Sequence, residues 1–246
     1  MNALSQAIHT LSYMGLPLLL AMVLHEYAHG WTADYYGDST AREQGRLTVN
    51  PLAHIDPFGT VILPLLCLLI PGGFFIGWAK PVPIDPRRLR DPRSNMAVIA
   101  AAGPGMNLLL ALASALLFAG LLKIEPSLLG YWGDSAVEVR QDWVGRVLLP
   151  IAVMCVYSVM INVLLMLFNL IPIPPLDGGR IVTNLLPARP ALALARLEAY
   201  GMLIIVALIV LDPQIMVITT ITHTLADRIA GGVLATATAF GTGIPQ

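Results

Sequence analysis

Two stretches of this chain, residues 96–122 and 147–170, contain no Asp, Glu, His, Lys or Arg. Each exceeds the roughly 20 helical residues needed to cross the hydrocarbon core of a bilayer. Inside hydrocarbon, backbone N–H and C=O groups must be satisfied without water, so uncharged runs of this length fold as helices. Composition points the same way, because only 12% of the 246 residues are charged and 57% are hydrophobic. A soluble domain carries about 25% charged residues, and this chain has too few to coat a globule. The sequence therefore predicts an all-α integral membrane protein, multi-pass, with about five to six membrane segments. A net charge of −1 gives no case for nucleic acid as a partner. Cys67 and Cys155 lie inside apolar runs and read as small packed hydrophobes.

A first apolar segment, residues 4–31, has no Lys or Arg before Arg42; it lacks the basic start of a secretory signal and is expected to be retained. The polar residues 34–57 come next, with Gly37-Asp38, Gly45-Arg46 and Asn50-Pro51 as turn signals around a strand-like piece at 47–49, which predicts a β-hairpin or loop region beside the active site. Residues 59–78 are apolar but broken by Pro64 and by Pro71-Gly72-Gly73, which predicts a re-entrant loop rather than a full span. Beyond the second uncharged run, Pro172, Pro174 and Pro175 interrupt the chain. Each proline removes a backbone donor, so an extended path beside a wet or protein-lined cavity is expected there. Residues 200–211 and 215–235 form a last apolar pair, split at Asp212-Pro213. These boundaries predict one membrane-embedded domain over 1–246, with a core at about 4–186 and a C-terminal helical hairpin at about 199–236.

At the end of the first segment stands His25-Glu26-Tyr27-Ala28-His29, a His-Glu-x-x-His motif. Residues four apart share one helix face, so both imidazoles can hold one metal ion with Glu26 beside them. A catalytic zinc site needs a third protein ligand. Asp177 is the best candidate, being a carboxylate in apolar surroundings, on backbone freed by prolines and followed by Gly178-Gly179. Its alternative role is to cap a short helix over 178–186. Lys and Arg counts favour a topology in which the motif and Asp177 share a side. With 59–78 re-entrant, that side collects seven Lys/Arg between Arg42 and Arg93 plus Arg180, Arg189 and Arg196, against Lys123, Arg140 and Arg146 opposite. The positive-inside rule then puts the metal toward the cytoplasm.

The pairing of His-Glu-x-x-His with Asn169-x-x-Pro172-x-x-x-Leu176-Asp177-Gly178-Gly179 resembles the site-2 protease family of intramembrane zinc metalloproteases. Gly45-Arg46-Leu47-Thr48-x-Asn50-Pro51, the Gly77-to-Val82 segment and Gly103-Pro104-x-x-Asn107 are similar to its compact bacterial and archaeal branch, so a prokaryotic cell membrane is the expected location. No PDZ domain lies between the halves of the motif, and no regulatory domain is seen after them. The resemblance implies one Zn2+ per chain held by His25, His29 and Asp177, with Glu26 as catalytic acid/base and Asn169 on the substrate or oxyanion side. The implied partners are a transmembrane protein substrate and membrane lipid. An unwound substrate could add as a strand to an edge at 47–49 or 78–84. The rival reading is a membrane metal-ion transporter, but such a path calls for further ionisable residues along the spans, which the two uncharged runs lack. His54 and Asp56 are expected to order a turn, and Asn107 to make an interhelical hydrogen bond.

Overall fold

A computed structural model describes residues 3–62, 78–131 and 142–239 of the chain. Among these residues there are helices and turns and no strand. The helices are α1 (Ala3–Tyr35), α2 (Thr40–Glu43), α3 (Pro92–Ile124), α4 (Leu149–Asn169), α5 (Asp177–Leu185), α6 (Ala188–Arg196), α7 (Glu198–Ile215) and α8 (Val217–Ala239). A turn of wide helix, Val144–Leu148, leads into α4. Two are long and apolar enough to cross a bilayer: Pro92–Ile124, with mean hydropathy 2.1, and Val144–Asn169, with mean hydropathy 2.5. They contain the two uncharged runs. The expected re-entrant segment falls largely on residues 63–77, which lie outside the described residues.

The chain divides into two compact units. The first comprises Met1–Ala21, Asn107–Leu167 and Leu211–Gln246. Its larger core packs Phe118, Leu121 and Leu122 of α3 against Leu149, Ala152 and Val153 of α4. A second cluster joins Ala111 and Ala115 to Val159, Val163 and Ala226, where small side chains let helices approach closely. A polar ladder runs beside these contacts. The Asn107 amide donates to Asn162 Oδ1 (2.9 Å), Asn162 donates to the Ser158 carbonyl (2.8 Å), and Ser114 Oγ donates to Ser158 Oγ (2.7 Å). Asn107 thus makes the interhelical bond expected of it.

The second unit comprises Met22–Met106 and Phe168–Val210. Ile99 of α3 packs with Ala33 of α1 and with Leu89, ringed by Tyr36, Ile84 and Met96. The loop between α1 and α3 is organised by side-chain bonds to backbone. Buried Asp38 accepts from the Thr40 N–H (3.0 Å), from the Thr40 hydroxyl and from the Asp85 N–H (2.6 Å). Asp85 in turn caps the tight helical turn Pro86–Arg88. At the surface, Ser39 and Arg88 both bond the Glu43 carboxylate and hold it below its ordinary range.

Three sequence expectations change. Residues 170–176 are turned rather than extended, because the N–H groups the prolines leave, at Ile171, Ile173 and Leu176, close back onto Phe168, Ile171 and Ile173. The last apolar pair breaks at Met216, in the left-handed region at φ 50°, and α7 continues through Asp212-Pro213. Residues 47–49 form a bend without a strand partner among the described residues.

Replacing Asn107 with Ala leaves Asn162 Oδ1 without this donor. The expected cost is about 0.6–1.7 kcal/mol, the range for single interhelical hydrogen bonds in membranes. Unfolding of the purified protein in mixed micelles would measure it.

Candidate metal centre

The His-Glu-x-x-His motif lies within α1, well before its end at Tyr35, so helical spacing sets its two imidazoles one above the other. Their ring centroids are 4.7 Å apart. His29 Nδ1 lies 2.7 Å from the Ile99 carbonyl of α3. A carbonyl only accepts, so Nδ1 carries the proton and, in the neutral ring, Nε2 is left with its lone pair for a ligand.

Asp177 is the first residue of α5, and Leu176 occupies the cap position without a side-chain cap bond. The cap position of this helix thus falls to Leu176 and not to Asp177. Asp177 Oδ2 lies 3.1 Å from His25 Nε2 and 3.3 Å from His29 Nε2, and the two Nε2 atoms are 3.1 Å from each other. The α5 N-terminus reaches this position because Gly178 and Gly179 have no side chains. A Cβ on Gly178 would run into the Leu170 and Ile171 carbonyls, and one on Gly179 into the Ile173–Pro174 backbone. The two glycines thus fold α5 back onto the proline turns that precede it.

The donor set fits a metal ion. Ligand atoms about 2.0–2.2 Å from a tetrahedral zinc stand about 3.3 Å apart, close to the three separations here. His25, His29 and Asp177 are only 7, 6 and 6% exposed, so their polar atoms cannot rely on water. Asp177 Oδ2 is buried and meets no donor in hydrogen-bonding geometry. A carboxylate in that position is stabilised by a cation. Among the described residues this is the group of His, Cys, Asp and Glu able to converge on one ion.

The five residues assigned a metal-binding or catalytic role from the sequence line one cavity of about 140 Å³: His25, His29, Asp177, Glu26 and Asn169. Asn169 is the last residue of α4. Glu26 is half-buried, and its Oε2 accepts the Val82 N–H at 2.8 Å. Of the cavity's other contributors, Pro81, Val82 and Ile84 belong to the 78–84 stretch expected near the metal, and Pro175 and Leu176 to the proline stretch expected to border a cavity; sequence reasoning gave Arg180 no role there. Arg180 also lines it, and its position directly after Asp177-Gly178-Gly179 was the available signal. The Val82 amide and Ile99 carbonyl are backbone groups that no residue type announces. His54 and Asp56 do order turns, as expected: His54 Nε2 donates to the Thr48 carbonyl (2.8 Å), and Asp56 accepts from the Phe58 and Gly59 N–H groups.

Comparison with known proteins gives one family. The profile described as Peptidase family M50 matches residues 13–211. The Bacillus subtilis protein named "Putative zinc metalloprotease YwhC" is 33% identical over 198 residues, spanning 80% of this chain and 80% of its own. Rip2 of Mycolicibacterium smegmatis, which bears the same description, is 31% identical over 213 residues, spanning 84% of this chain and 72% of its own. No solved structure matches.

The wall of the cavity at residues 80–82 is held from behind. Arg46 donates to the Lys80 carbonyl (2.9 Å) and the Pro81 carbonyl (3.3 Å), and the Lys80 N–H donates to the His54 carbonyl (2.8 Å). Arg46→Leu removes a charge-assisted clamp of about 1.5–3 kcal/mol. Amide exchange at Lys80 and Val82 is then expected to quicken by roughly 10- to 100-fold in hydrogen-exchange mass spectrometry.

Proposed function

Because the chain belongs to peptidase family M50, the site-2 protease family, and is a membrane-integral zinc metalloprotease, we propose that it is an intramembrane endopeptidase cutting transmembrane segments of other proteins. The observation that carries this reading is the convergence of the buried His25 Nε2, His29 Nε2 and Asp177 Oδ2 on one cavity that Glu26 also lines. His25, His29 and Asp177 hold one zinc ion per chain. When bound, zinc supplies a Lewis acid that activates water and polarises a carbonyl.

Glu26 is the acid/base. Its Oε2 is engaged by the Val82 N–H, and this bond fixes the carboxylate at the cavity edge. Glu26 takes a proton from the attacking water and delivers it to the leaving amine nitrogen. Asn169, the last residue of α4, donates its amide to the substrate carbonyl oxygen as charge develops there. Proteolysis needs a charged base beside the ligands, whereas transport needs a path of ionisable groups; the uncharged lengths of α3 and α4 favour the former.

We place the site toward the cytoplasm, in a single peptidase domain of about five to six membrane segments whose residues 59–78 re-enter the bilayer. This topology gathers the Lys and Arg between Arg42 and Arg93 with Arg180, Arg189 and Arg196 on one side, as the positive-inside rule requires. The edge at 78–84 is poorly suited to strand addition, because Pro81 and Pro83 lack N–H groups and those of Lys80 and Val82 are already bonded.

Cleavage of a labelled transmembrane-segment substrate, with zinc quantified in each protein, tests the reading. Glu26→Gln is expected to keep its zinc and lose cleavage, and a Glu26→Gln enzyme as active as wild type would end the mechanism. Asn169→Ala is expected to lower kcat by about 10²- to 10³-fold with zinc retained, the usual loss for one oxyanion donor.

A further inference from the structure

Gly103 of α3 stands against the metal centre in a way helix packing does not require. A Cβ built there falls 2.6 Å from His25 Nε2 and 2.6 Å from His25 Cε1, and nearer still to His29 Nε2. These nitrogens are the two imidazole atoms that face Asp177 Oδ2. Zinc lies about 2.0–2.1 Å from a histidine nitrogen, so a methyl group at position 103 competes with the ion for the same volume or forces the rings away from it. Gly105, two residues on, has nothing within 4 Å of its added Cβ. The restriction therefore belongs to the face of α3 turned toward the imidazoles.

Nor can α3 step back to make room. One turn before Gly103, Ile99 is 1% exposed and packed with Ala33 and Leu89, and its carbonyl holds His29 Nδ1 at 2.7 Å. The same helix face thus grips one side of the His29 ring and must leave space at the other. We infer that Gly103 is a positioning residue of the metal centre: its missing side chain reserves the space into which His25 and His29 present their Nε2 atoms to zinc, while Ile99 one turn earlier fixes the His29 ring. This rests on His25 and His29 being zinc ligands.

The test uses full-length protein in detergent and reads zinc affinity by competition with a chromophoric chelator, for wild type, Gly103→Ala, Gly105→Ala and His29→Ala. Zinc affinity is expected to fall at least about tenfold in Gly103→Ala, the scale of losing one supporting contact at a zinc site, and to stay at the wild-type value in Gly105→Ala. Wild-type affinity in Gly103→Ala overturns the inference; wild-type affinity in His29→Ala overturns the ligand assignment instead. A second measurement covers poor folding of the variant. Thermal unfolding is followed without metal for Gly103→Ala in the wild-type background and in a His25→Ala/His29→Ala background. The drop in Tm is expected to be large in the first and largely relieved in the second, where the imidazoles are gone. An equal drop in both assigns Gly103 to general packing and sinks the proposal.

Discussion

The second unit depends on holding a carboxylate, Asp177, in a buried position within 3.1–3.3 Å of two imidazole nitrogens. An unpaired carboxylate there costs several kcal/mol, and the buried Nε2 lone pair of a neutral His29 ring beside it has the same need of a partner. A cation removes both penalties at once, which is why metal binding and local order are coupled at such sites. Holding Asp177 there falls to two devices: the tight turns at 170–176, built from the few N–H groups the prolines leave, and the Gly178-Gly179 pair that lets α5 fold back on them. The prolines end α4, and the glycines aim α5.

Much of the cavity's remaining control comes from backbone. The Ile99 carbonyl settles which nitrogen of His29 carries its proton, and the Val82 N–H settles where Glu26 points. Both backbone groups sit on pinned segments: Ile99 in a small apolar core, and Val82 next to a stretch clamped by Arg46 and His54. Rigid support of this kind matters because a site off by about 1 Å can lose two orders of magnitude in rate.

The candidate site was legible in the sequence wherever a residue type and a fixed spacing carried the chemistry. His25 and His29 share a face because an α-helix repeats every 3.6 residues, and Asp177 stood out as a carboxylate among prolines and glycines. The uncharged lengths of α3 and α4 were equally plain. Legibility ended where the deciding group is common to every residue. Any residue offers the carbonyl supplied by Ile99 or the amide supplied by Val82, so no pattern marks them. Prolines show where donors are lost but not how the remaining donors close, so residues 170–176 turn where an extended path was expected. A proline does not always stop a helix, and α7 passes Pro213 to end at Ile215, just before the left-handed Met216.

The alternation Lys80-Pro81-Val82-Pro83 shows how one segment meets two demands. A strand edge beside a hydrolytic centre invites wrong pairing, and proline blocks it by deleting donors. With Pro81 and Pro83 silent, Lys80 and Val82 retain N–H groups at the centre of the segment; Lys80 anchors to His54 and Val82 bonds Glu26. Arg46 takes up the Lys80 and Pro81 carbonyls. What resembles an exposed edge in the sequence is thus a wall whose polar groups face its own support and the Glu26 carboxylate. A peptide using this wall as a sheet edge would have to compete with Glu26 for the Val82 amide, so the contact that orients Glu26 also guards the edge.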